Sequence, residues 1–238
     1  MSEIVESVRR ELIASADEKV RISGERFFRE EVRLYGVRSA VVSKIGKEYF
    51  KSLSGKCKEE IFALCEDLWK SGIIEESFIA CNWSYFLRKK YESTDIEVFK
   101  GWIESYVSNW ASCDTLCNHS VGTLLEMYPN TVADLKKWTA SPNRWMRRAS
   151  AVSLIIPARK GMFVDDVFQI ADMLLRDMDD MVQKGYGWML KSASQAHQKE
   201  VFEYVYRNKE KMSRTSLRYA VEKMPGELRK RAMEKSNF

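Results

Sequence analysis

Breakers of regular structure are scarce in this chain: 238 residues hold only four prolines and eleven glycines. That scarcity favours helices, which proline and glycine interrupt most often. Histidine is rarer still. His119 and His197 are the only two, and neither has an evident catalytic partner in the sequence, so an enzyme built on this chain works without imidazole. No phosphate loop, dinucleotide fingerprint or nucleophile elbow occurs. No stretch approaches eighteen uncharged apolar residues, so no membrane span and no membrane partner are expected. Met1 to Val20 mixes Glu and Arg with short apolar steps and has no apolar core of a secretory signal. The five cysteines are an odd number without small-domain spacing, which reads as free thiols in a reducing compartment. A cytoplasmic protein is expected.

Acidic residues are missing locally. From Leu135 to Val164 thirty residues contain no Asp or Glu, yet carry seven cations: Lys136, Lys137, Arg144, Arg147, Arg148, Arg159 and Lys160. Trp138 and Trp145 lie inside the same stretch. Basic charge interleaved with flat aromatics suits a polyanion, and nucleic acid is the commonest one. A solvated face that merely lacks carboxylates would look the same. The formal charge of +5 is modest, so a polyanion site must come from clustering. From Tyr204 to Phe238 there are ten Lys or Arg against four Glu, so the basic excess leans toward the C-terminus.

What is present in abundance is helical periodicity. Ile61, Leu64, Cys65, Leu68 and Trp69 form one broad amphipathic stripe, and Trp145, Ala149, Val152 and Ile156 form another. Strand-like alternation is absent over any useful length. Turn and cap residues recur at intervals suited to helix pairs, so the spacing predicts an all-α chain of roughly a dozen helices. Segments starting at Asn143, Asp179 and Ser213 align with one another. Each opens on a capping residue and carries a cation at its sixth position, Arg148, Lys184 and Arg218, separated by 36 and 34 residues. That period matches a helix–turn–helix solenoid, in which equivalent positions line one surface. Chance similarity among amphipathic helices is the competing explanation. With no sharp boundary in the sequence, residues 1–238 read as a single α-helical repeat domain.

Candidate chemistry is sparse. Cys113, Cys117 and His119 supply three metal ligands at most, short of the four that structural zinc needs, so no metal site is expected. Trp110 and Asp114 are four apart and share a face if helical. Asp114 is the only acid between Glu104 and Glu126. A lone carboxylate there also reads as a cap beside a core aromatic. Trp188 follows Gly185 and Gly187, which either open space around its ring or mark close helix packing.

Taken together, Trp110-Ala111-Ser112-Cys113-Asp114, Trp145-Met146-Arg147-Arg148-Ala149 and Lys184-Gly185-Tyr186-Gly187-Trp188 resemble the AlkD-type DNA alkylation repair proteins. Those are alkylpurine DNA glycosylases built from HEAT-like helical repeats. Tyr35-Gly36-Val37-Arg38 is similar to the family's N-terminal repeat, and Ser213 to Met224 to its closing one, so the resemblance covers most of the chain. It implies a HEAT-like solenoid with a concave basic surface. Trp110, Asp114 and Trp188 would surround the damaged nucleotide and Arg148 would grip the backbone. The chain departs from the family where Ala111 and Cys113 stand in place of a second acid and further aromatics.

The implied reaction is hydrolysis of the N-glycosidic bond of cationic N3- or N7-alkylpurines in duplex DNA. Neither base flipping into a pocket nor strand cleavage is involved. Asp114, Trp110 and Trp188 are the expected catalytic residues. Arg148, Arg147, Arg144, Lys184, Arg218 and Arg38 are the expected DNA contacts. No cofactor is expected, and the protein should act as a monomer on duplex DNA containing alkylated purines. Two rivals stand beside this reading: a family member that binds DNA without catalysis, and a helical-repeat scaffold for proteins.

Overall fold

Sixteen α-helices make up nearly all the regular structure of the computed structural model, which describes residues 2–234. The expected helical-repeat architecture is what the chain adopts. Among the described residues the β pairing is limited to one isolated parallel bridge, Arg33 with Ile73. The chain divides into two units, one running to Ser120 and one starting at Val121. The division falls inside a π-helical turn, Cys117–Val121.

The N-terminal unit holds α1 (Glu3–Ala14), α2 (Glu18–Glu25), α3 (Ser39–Lys51), α4 (Lys58–Trp69), α5 (Ile74–Phe86), α6 (Asp95–Tyr106) and α7 (Trp110–Leu116). The stripe from Ile61 to Trp69 is buried along α4, as its periodicity requires. Phe62, Trp69, Phe99 and Trp102 form an aromatic cluster between α4 and α6. Trp83 of α5 is fully buried and donates its indole N–H to the Gly46 carbonyl at 2.8 Å. That satisfies the one polar group the ring brings into the core.

Two buried acids near the start of α5 fix the segment before α3. Glu75 accepts the backbone N–H groups of Tyr35 (3.1 Å), Gly36 (2.8 Å) and Val37 (3.0 Å). Glu76 accepts the Tyr35 hydroxyl at 2.7 Å and the Arg9 guanidinium at 3.0 Å. Gly36 sits at φ +91°, and a Cβ there would meet the Asp17 carbonyl oxygen at 2.5 Å. The Tyr-Gly-Val-Arg motif is thus held by three N–H groups converging on one carboxylate, around a glycine that no other residue can replace without strain.

The C-terminal unit holds α8 (Gly122–Met127), α9 (Val132–Trp138), α10 (Arg144–Val152), α11 (Ile155–Arg159), α12 (Val164–Leu174), α13 (Asp180–Ala193), α14 (Gln198–Asn208), α15 (Arg214–Val221) and α16 (Gly226–Met233). The three aligned segments are α10, α13 and α15, and each is capped where the alignment places the cap. Asn143 accepts from the Trp145 N–H, Asp179 from Met181 and Val182, and Ser213 from Ser216. α13 packs against both α10 and α15, so the repeat alignment describes a stack in series.

Glycine makes the stack close. Gly185 faces α10, where a Cβ would lie 3.3 Å from Arg148 Cγ and 3.5 Å from Val152 Cγ1. Gly187 faces α15, where a Cβ would lie 2.8 Å from the Ser216 carbonyl oxygen and 2.8 Å from Tyr219 Cβ. Of the two readings of these glycines, close packing is the one the fold adopts. Gly187→Ala must push α15 away and is expected to cost about 1–3 kcal/mol in urea unfolding. Gly185→Ala meets a flexible side chain and gains helix propensity of about 0.8–1 kcal/mol, so it should be close to neutral. Equal stability of the Gly187→Ala variant and the parent would show that α15 does not pack so tightly.

One stripe needs correction. Trp145, Ala149 and Val152 lie on α10, but the helix ends there and Ile156 belongs to α11. Pro157 has no N–H to bond the carbonyl of Ser153, and its ring crowds that carbonyl, so the helix breaks between. The break makes two short helices of the one expected.

Candidate active site and DNA-contact residues

Helix α7 begins at Trp110 because Asn109 caps it, accepting the Ser112 N–H at 2.9 Å. Asp114 is therefore not a cap. It stands one turn inside the helix and is 7% exposed. The helix is fastened to α5 by a buried hydrogen bond between Ser112 Oγ and Ser77 Oγ at 2.7 Å. Trp110 is only partly buried, and its ring stacks on Phe28 with centroids 5.5 Å apart and planes at 27°. Phe28 was not singled out from the sequence. Its signal was the aromatic pair Phe27-Phe28 between Arg26 and Arg29, a segment without helical periodicity. Ala111 and Cys113 are both buried, so the positions where the chain departs from the family pattern face the interior. A carboxylate this far from water acts on nearby charge through a lower effective dielectric than a surface one.

In the C-terminal unit Trp188 is half-buried on α13. The Lys191 ammonium lies 6.0 Å from the Trp188 ring centroid and 5.3 Å from that of Tyr219, and it pairs with Glu222 at 3.0 Å. Tyr186, fully buried on the same helix, hydrogen-bonds Ser216 Oγ at 2.6 Å.

The nominated cations fall into three groups. Arg148 is 5% exposed, lies against Gly185, and donates to the Met181 carbonyl. Arg144, Arg147 and Lys184 are half-buried and paired with carboxylates. Arg147 meets Asp177 at 2.6 Å, Lys184 meets Asp180 at 2.6 Å, and Arg144 meets Asp179 at 3.3 Å while stacking over Trp145. Arg218, in the C-terminal unit, and Arg38, in the N-terminal unit, are exposed. The recurrence at 148, 184 and 218 places cations on α10, α13 and α15, which pack one on the next, but they are not equally exposed.

The acid-free stretch is balanced in space. Lys136 pairs with Asp166 at 2.6 Å, Lys137 with Asp134 at 2.7 Å and Lys160 with Glu126 at 2.8 Å. Counting Arg144 and Arg147, at least five of its seven cations meet carboxylates supplied from outside the stretch. Cys113 and Cys117 are fully buried, and the His119 ring lies 5.3 Å from that of Tyr85. Among the described residues no group of three or more His, Cys, Asp or Glu is arranged to hold a metal ion, and no helix is long and apolar enough to cross a membrane.

Comparison with solved structures finds the same fold in a protein of Enterococcus faecalis described as a predicted DNA alkylation repair enzyme. The match has a TM-score of 0.79 at 14% identity and covers 89% of this chain and 98% of that one. No curated protein sequence matches. The family model described as DNA alkylation repair enzyme matches residues 8–224. That span takes in α7, α10, α13 and α15 with every candidate residue above, and the chain belongs to the DNA alkylation repair enzyme family.

Proposed function

We propose that this protein hydrolyses the N-glycosidic bond of cationic N3- and N7-alkylated purines in duplex DNA, releasing the base and leaving the strand intact. The observation that carries the reading is the buried carboxylate of Asp114, one helical turn from Trp110, in a chain whose family acts in alkylation repair. Alkylation at N3 or N7 leaves the purine positively charged, so it departs with the bonding electrons as a neutral base and needs no general acid. Oxocarbenium character then builds at the anomeric carbon. Asp114 is assigned to stabilise that charge and to orient the water that adds there, accepting its proton. Trp110 and Trp188 are assigned to offer indole faces to the cationic sugar or base. Phe28, stacked on Trp110, fixes the orientation of that ring.

The decisive experiment is base release from a duplex carrying N7-methylguanine, compared with spontaneous loss in buffer. Release no faster than buffer, with tight binding to the same duplex, would replace this reading with a non-catalytic DNA-binding member of the family.

Binding itself is assigned to Arg148, Arg147, Arg144, Lys184, Arg218 and Arg38, with unequal shares. The exposed Arg218 forms no ion pair among the described residues. Arg218→Ala should therefore lower the slope of log affinity against log salt by about 0.9, the value of one phosphate contact. Arg147→Ala should act mainly on stability, because it strands Asp177, whose side chain is 9% exposed. Fluorescence anisotropy over a salt series reads the first effect, and an unchanged slope in Arg218→Ala would remove that residue from the interface.

A further inference from the structure

The C-terminal basic excess noted in the sequence is not absorbed by the site above. Part of it, Arg207 and Arg231, lines a groove of about 640 Å³ between α14 and α16. Phe202 and Tyr206, one turn apart on α14, stack with centroids 5.7 Å apart and planes at 29°. The Arg231 guanidinium crosses from α16 over both rings, 5.2 Å from Phe202 and 5.7 Å from Tyr206. Tyr206 remains 44% exposed. Lys199 and Arg207, also exposed, line the same groove, and Glu203 is its one carboxylate. Unlike the cations of 135–164, Lys199, Arg207 and Arg231 form no ion pair among the described residues. Three cations without a carboxylate partner therefore meet here beside an exposed aromatic ring, which also has the Lys209 ammonium 4.6 Å from its centroid.

We propose that this groove binds an unpaired stretch of nucleic acid, with one base laid against Tyr206 and neighbouring phosphates met by Lys199, Arg207 and Arg231. Its volume is that of a site for one small molecule or nucleotide. A guanidinium stacked on aromatic faces keeps its in-plane N–H groups free, which suits it to phosphate. Duplex DNA offers such a groove only a ridge of phosphates and leaves the ring unused. A single strand supplies both a flat base and a phosphate at each step. An acidic peptide would satisfy the cations but give the ring no flat partner. The groove shares no residue with those assigned to base release, and its test uses DNA without a lesion. Failure here leaves the glycosylase reading standing, and failure of that reading leaves this proposal standing.

The test is fluorescence anisotropy of a short labelled oligothymidine on the full chain. Wild-type protein should bind it, and Tyr206→Ala should weaken binding by roughly 5- to 150-fold, the value of one stacked base. Tyr206→Phe, which keeps the ring, should bind as wild type. Arg207→Glu alters an exposed side chain and should weaken binding with no change in unfolding midpoint, which keeps the test valid if Tyr206→Ala is unstable. The proposal is overturned if wild type does not bind the oligonucleotide, or if Tyr206→Ala and Arg207→Glu, both folded, bind it as tightly. It is also overturned if polyglutamate displaces the oligonucleotide as readily as unlabelled oligothymidine, since that would point to an acidic protein partner.

Discussion

Replacing Asp114 with Asn is expected to slow release of N7-methylguanine from duplex DNA by about 10² to 10³, the usual cost of losing one preorganised electrostatic partner. The change preserves shape and removes only the negative charge. The charge it meets develops in the transition state, so affinity for the lesion duplex should barely move while the single-turnover rate falls. N7-methylguanine suits the measurement because its spontaneous loss is slow enough to leave a window. Asp114 is 7% exposed, so the unfolding midpoint of the variant belongs beside its rate: a rate loss in a folded protein is catalytic, and one that tracks unfolding is not. Equal rates for variant and parent would move the chemistry off Asp114.

The largest effect on stability is expected at Glu75, which no functional argument singles out. Its carboxylate takes three consecutive backbone N–H groups, from Tyr35, Gly36 and Val37, and it is 4% exposed. Glu75→Ala leaves donors without an acceptor where water does not reach easily. At about 1–3 kcal/mol for each unsatisfied group, the loss should be about 3 kcal/mol or more. In a chain of this size that corresponds to a fall of roughly 6 to 12 °C in Tm. Glu75→Gln should fall between, since its carbonyl oxygen can still accept from Gly36 and Val37 while its NH2 group opposes the Tyr35 N–H. An unaltered Tm for Glu75→Ala would mean that the segment before α3 is held by other contacts.

The fold was legible because its signals are local. A stripe such as Ile61 to Trp69 reports helix and buried face together, and Asn143, Asp179 and Ser213 announced their caps by residue type and position. Pro157 marked the break that the longer stripe overlooked. Signals that depend on distant residues were not legible. The acids that neutralise the 135–164 stretch come from as far along the chain as Asp179, and nothing inside the stretch encodes them. Phe28 and Trp110 are separated by most of the N-terminal unit, so their stacking had no local trace. Asp114 looked like a cap from its neighbours alone, and only the position of Asn109 decides otherwise.

The two glycines of α13 have a dynamic consequence. In a linear stack each element gains stability only from its immediate neighbours, so opening proceeds from the ends inward. α13 is clasped on both sides, through Gly185 on one face and Gly187 on another. Its amides should exchange with solvent more slowly than those of α15 and α16. Trp188 thus rides on a segment that stays closed while outer turns breathe, a steady mount for the role proposed for its indole.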